Sequence, residues 1–208
     1  AGPGPRPRPR RGWRGLLRRP VRRTFDDRVE LPRLLLSWHS PGHALPGDAA
    51  LDLAGQILSD GKQSRLHREL VLRRRLAARV LAYQCSRELC SSFSVEVTAR
   101  PGVDRAQLER LTLEMVGELA RRPPTRRELL RARRGHEASF LSGLQRLTRR
   151  AELFNQYGAC WGEVDGFARD LDRYRAVEPS DVRRWLAAVV ERPCGTFWVV
   201  PRATGGAA

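Results

Sequence analysis

The chain has 208 residues, 41% of them hydrophobic and 30% charged, with a formal net charge of +16. That length suffices for one domain with a core of its own, and no apolar run approaches the roughly 18 residues a membrane-spanning helix needs. Nine arginines and no acid fall within residues 1–23, so more than half of the excess charge sits in one short segment, and charge of this kind speaks to non-specific binding and not to fold. Lys62 is the only lysine, a skew that base composition of the coding sequence explains more simply than selection for guanidinium chemistry. The four cysteines, Cys85, Cys90, Cys160 and Cys194, form no C-x-x-C pair and are expected as free, partly buried thiols. The sequence begins with Ala1, so any signal peptide would lie upstream and the compartment is not read from this end.

Residues 1–26 are expected to be a linker rich in proline and arginine, extended and solvated because it has little to bury. A basic arm for nucleic acid or acidic lipid, with Trp13, Leu16 and Leu17 as apolar contacts, is the alternative. Val29 to His39 has the β-rich content of a strand that Pro32 confines to an edge or a start. Asp48 is placed to cap a helix through Ala50, Leu51, Ala54, Ile57 and Leu58, and Ser59-Asp60-Gly61 stops it. Ser64 is placed to cap a second helix, in which Leu66, Leu70 and Leu76 alternate with Arg65, Arg68 and Arg73–Arg75. Leu76–Leu89 and Ser91–Ala99 read as a hairpin, the second strand with Phe93, Val95 and Val97 on one face.

Asp104 with Gln107 and Thr125 with Glu128 have the spacing of capping boxes. The first opens a helix through Leu119, and the second opens a long run through Phe154 that bends near Gly135 or Gly143. A shorter helix over 164–174, one opened by Pro179, and a closing strand Gly195–Val200 follow, with 202–208 as a tail. Strands at both ends with helices between imply an α+β domain over 27–201, a mostly antiparallel sheet with helices packed on one face.

No constellation of catalytic residues is visible. His39 and His43 are four apart, but Pro41-Gly42 between them excludes a helical pair and leaves only a loop chelate. His67 reads as a surface residue beside Glu69, and His136-Glu137 lacks a second histidine in either zinc-binding order. Nucleophile elbows and phosphate-cradling glycine loops do not occur.

The succession from LPRLLLSWH through GDAALDLAGQILSDGKQSRL to SSFSVEVTARPGV resembles the C-terminal, non-catalytic half of the insulinase-like (pitrilysin) zinc metallopeptidases, over roughly Asp27 to Pro201. The resemblance implies a processing-peptidase-like half-domain of the α+β kind already described. It implies a partner half, upstream in the same polypeptide or a separate subunit, whose HxxEH motif and distal glutamate hold zinc and activate water. This chain would hold no cofactor and would wall a chamber around an extended peptide. Family members often supply an arginine and a tyrosine in a pattern like L-R-x-x-x-x-L-x-Y, and aligning on Leu70 and Leu76 puts Val71 and Ala78 there, so both are lost. Arg73, Arg74, Arg75 and Arg79 are the candidate substrate contacts in their place. The alternatives are an inactive scaffold subunit of the same fold and a basic nucleic-acid-binding domain. A periplasmic or otherwise exported location is expected ahead of a cytoplasmic one.

Overall fold

The structure, a computed structural model, describes residues 17–87 and 91–202. In chain order it runs β1 (Val21–Asp27), β2 (Arg33–Ser40), α1 (Asp48–Ser59), a π-helix (His67–Arg73), β3 (Ala77–Cys85), β4 (Ser91–Ala99), α2 (Arg105–Arg121), α3 (Arg126–Gly143), α4 (Leu147–Trp161), α5 (Phe167–Arg175), α6 (Pro179–Val190) and β5 (Gly195–Pro201). The strands form one sheet in the order β1-β5-β2-β4-β3, antiparallel except for the parallel β1–β5 pair.

Two-residue alternation decides which face is covered. Leu34, Leu36 and Trp38 of β2, Phe93, Val95 and Val97 of β4, Val80 and Ala82 of β3 and Trp198 of β5 are buried and point to one side. Against them lie the apolar stripes of the helices, including Leu51, Leu58, Leu108, Val116, Val182 and Leu186. The opposite face carries half-exposed Leu35 and Phe197, with Phe25 stacked on Phe197 at 6.4 Å between ring centroids. This is the α+β sheet with helices on one face that the residue pattern implies.

Several local expectations change. Within the linker expected over 1–26, residues 21–26 are strand instead, because Val21–Asp27 pairs with Gly195–Pro201 at the edge of the sheet. Arg22 ties that strand down with a two-pronged pair to Glu109 on α2 at 2.8 and 2.5 Å, and Trp198 Nε1 donates to the same carboxylate at 3.0 Å. Val29–Pro32 precedes β2 and is not part of it. Asp48 is the first helical residue of α1 and not its cap, since Gly47 takes the cap position at φ 95° with Trp185 filling the space a Cβ would need. Ser64 does not cap the second helix either: its hydroxyl donates back to the Gly61 carbonyl at 2.7 Å.

The second helix is π-wound over His67–Arg73, with the Arg74 amide bonded to the Glu69 carbonyl five residues earlier. Asp104 caps α2 by accepting from the Ala106 amide, whereas the Thr125–Glu128 box forms as expected. The long run expected through Phe154 breaks completely after Gly143, where a tight turn over 144–146 separates α3 from α4. Leu89, Cys90, residues 1–16 of the expected linker and 203–208 of the tail lie outside the described residues.

Candidate functional site

Three elements carrying separate arginine clusters converge on one groove. The π-helix contributes Arg68, Glu69, Arg73 and Arg74, the C-terminal half of α2 contributes Glu118, Arg121 and Arg122, and the first turns of α3 contribute Arg127, Arg131 and Arg134. Leu111, Met115 and Leu130 give it an apolar lining, and its volume is about 1390 Å³. Arg65 fixes the π-helix against α3 through a bidentate pair to Glu128, 2.8 Å from Nε and 3.1 Å from Nη2. Burial pushes the Glu128 carboxyl up, but Arg65 with the amide and hydroxyl of Thr125 more than reverses this and holds it down at about 2.

The four candidate contact arginines do not act together. Arg73 and Arg74 line the groove, yet both already bind Glu69, at 3.1 and 2.5 Å, and Arg74 first and Arg73 second hold that carboxyl below its ordinary range. Arg75 is exposed and left-handed at φ 55°, closing the π-helix while the Leu76 amide returns to the Leu70 carbonyl. Arg79 sits on β3 opposite Thr98, on the uncovered sheet face and away from the groove lining. Val71 packs against the core from within the π-helix, and Ala78 is exposed at the register shift between Ala77 and Arg79. The two positions aligned with the family's arginine and tyrosine therefore sit on irregular backbone, one in a π-turn and one at a bulge.

Arg121, Arg122, Arg127, Arg131 and Arg134 were not singled out by spacing, because they come from two helices and meet only in space. Among the described residues none of these five, nor Arg68, has a carboxylate within ion-pair distance. Arg131 Nη2 is buried without an acceptor.

A second polar cluster lies between the 41–47 loop, α1, α4 and α5. Asp48 is almost fully buried and accepts from the Ala44 amide at 3.0 Å, the Ser86 hydroxyl and Arg173 Nη1 at 3.1 Å. Asp170 accepts from Tyr157 Oη at 2.8 Å and from Arg173, and Tyr174 Oη donates to Asp52 at 2.7 Å. Burial pushes the Asp52 carboxyl up to about 7 although Tyr174 opposes the shift. These hydrogen bonds run between parts of the scaffold, and those of Arg173 to Asp48 and Tyr174 to Asp52 pin α5 to α1.

The histidines do not assemble a zinc site. His43 binds Gln156 and faces Asp48 at 3.6 Å, while His136 stacks on Tyr174 with centroids 3.6 Å apart. Among the described residues no three histidine, cysteine or acidic side chains converge as metal ligands, and this donor set does not fit zinc. Cys85 and Cys194 are free thiols of intermediate exposure. No helix of the described residues is long and apolar enough to cross a membrane.

A family model described as the peptidase M16 inactive domain matches residues 3–135. The zinc protease PqqE of Helicobacter pylori is 28% identical over 158 residues, which are 76% of this chain and 35% of that protein. The chain thus spans about a third of the curated relative it matches. In fold it is similar to a protease from Helicobacter pylori, with a TM-score of 0.77 and 22% identity over 86% of this chain and 44% of the other. It is also similar to an inactive peptidase domain from Bordetella parapertussis, with a TM-score of 0.74 and 21% identity over 88% of this chain and 99% of the other.

Proposed function

The chain belongs to the peptidase M16 inactive-domain family, and from that premise we propose that it is the non-catalytic half of a zinc metalloendopeptidase. In this reading it walls the space in which a partner half bearing HxxEH hydrolyses an extended peptide. The observation that carries the proposal is the pairing of a family match over residues 3–135 with a histidine set that fits no zinc. Zinc then belongs to the partner, where it would polarise the scissile carbonyl and supply activated water. This chain's residues contribute walls and charge: Arg73 and Arg74 are the proposed substrate contacts inside the groove, and Arg75 and Arg79 are candidates outside it. The domain proper is proposed to extend over residues 27–201 with β1 added at its edge, and the partner is either upstream in the same polypeptide or a separate subunit.

A second reading, an inactive scaffold of the same fold, draws on Val71 and Ala78, neither of which can polarise a carbonyl. Zinc-dependent cleavage of an unstructured quenched peptide by this chain, by the HxxEH half and by the two mixed separates the readings. Activity that appears only in the mixture is the expected result. Equal activity of the HxxEH half with and without this chain would leave the scaffold reading standing and remove the first.

A further inference from the structure

We propose that the groove between the π-helix, α2 and α3 is a docking site for an extended acidic peptide segment, an inference that rests on the peptide-confinement reading above. Its lining holds nine arginines against four glutamates. Glu69 and Glu128 are already engaged by Arg73, Arg74 and Arg65, and Glu114 is engaged by Arg110. Among the described residues this leaves Arg68, Arg121, Arg122, Arg127, Arg131 and Arg134 without a carboxylate partner, on three different elements facing one space. A guanidinium cluster held this way repels itself unless an anion arrives, and the buried, acceptorless Nη2 of Arg131 marks the charge least served by the protein itself.

The shape and lining favour a polypeptide. The volume of about 1390 Å³ exceeds the 300–1,000 Å³ typical of small-molecule pockets. Leu111, Met115 and Leu130 offer apolar contact between the arginines, suiting a segment that mixes carboxylate and aliphatic side chains. Among the described residues no aromatic side chain lines the groove on which a base could stack, and the interspersed glutamates would oppose an unbroken row of phosphates. Carboxylates spaced along an extended chain meet guanidinium forks singly and in bidentate fashion, and can thread between those glutamates.

The test is fluorescence anisotropy of the 208-residue chain, without any partner half, against a labelled twelve-residue peptide alternating glutamate with leucine and alanine. A lysine-for-glutamate counterpart and a twelve-nucleotide oligouridylate serve as rival probes. The acidic peptide is expected to bind, and both R127E/R131E/R134E and R121E/R122E are expected to weaken it about tenfold or more. The same charge-reversed variants are expected to gain affinity for the lysine peptide, a gain that a misfolded variant would not produce. Removing residues 1–16, which carry five further arginines, is expected to leave binding unchanged. Acidic-peptide binding that neither variant alters, no binding at all, or tighter variant-sensitive binding of oligouridylate would each overturn the assignment. Because the assay contains no peptidase half, acidic-peptide binding without cleavage in the mixture would sink the metallopeptidase reading alone, and cleavage without such binding would sink only the groove.

Discussion

Asp52 holds a carboxyl that burial pushes up to about 7, while an unfolded aspartate titrates near its ordinary 3.8. Between those values the folded chain binds more protons than the unfolded chain at this position, so its contribution to stability is fully present below about 4 and is lost as pH rises through about 7. Asp48, Asp170, Arg173 and Tyr174 face the same carboxyl. Burial holds His43 and His136 below their usual range, so they act in the opposite sense, losing stability as pH falls. Asp52→Asn keeps an oxygen to accept from Tyr174 Oη and removes only the titration. Urea unfolding of the two proteins is expected to differ little at pH 4, with the variant gaining on the order of 1–3 kcal/mol by pH 8. A stability difference that stays flat from pH 4 to pH 8 would mean that the carboxyl is ionised in the fold. None of this was legible in the sequence, where Asp52 is one acid on an amphipathic stripe and nothing announces that Tyr174, more than a hundred residues on, closes over it.

Helix α1 shows how closely one element is set against another. A Cβ at Gly55 would lie 2.7 Å from the Ala82 carbonyl oxygen and 3.1 Å from the Tyr83 Cα, both backbone of β3. One turn later the Ser59 hydroxyl accepts from the Ala82 amide at 2.7 Å, so α1 both covers the edge strand and satisfies its free donor. Gly55→Ala adds helix propensity but must push α1 off the edge of the sheet, and is expected to lower stability by about 1–3 kcal/mol. At Gly158 in α4, by contrast, the nearest atom a Cβ would meet is 3.9 Å away, and Gly158→Ala is expected to stabilise by about 0.5–1 kcal/mol. Urea midpoints that move the same way for both would contradict this packing. Elements with strong local signals were readable: the Thr125–Glu128 box, the Phe93-Val95-Val97 face and the Pro179 helix start all form where their chemistry puts them. The misses came where tertiary pairing overrode local pattern. β1 is charged and mostly exposed, so only its pairing with β5 and the Arg22–Glu109 contact reveal a strand. The π-turn at His67–Arg73 has no composition of its own that distinguishes it from an ordinary helix.

At the scale of the whole molecule, the four arginines put forward as substrate contacts and the arginines that line the groove overlap only at Arg73 and Arg74. The groove's arginines without a carboxylate partner among the described residues are distributed over Arg68, the end of α2 and the start of α3, and a reading that follows one element at a time meets them as ordinary solvated faces. The fold was legible because alternation and capping are local; the groove was not, because it is made by the angle at which three helices meet. If the domain works by confinement, its effect on catalysis must depend on how far a substrate reaches beyond the zinc. The measurement that tests this most directly is kcat/KM of the HxxEH half, with and without this chain, for peptides of five and of twenty residues sharing one cleavage sequence. Confinement predicts that adding the chain raises kcat/KM about tenfold or more for the long peptide and far less for the short one. An equal gain for both lengths would contradict it by placing this chain at the reacting bond, and no gain for either would contradict it by leaving the chain a scaffold.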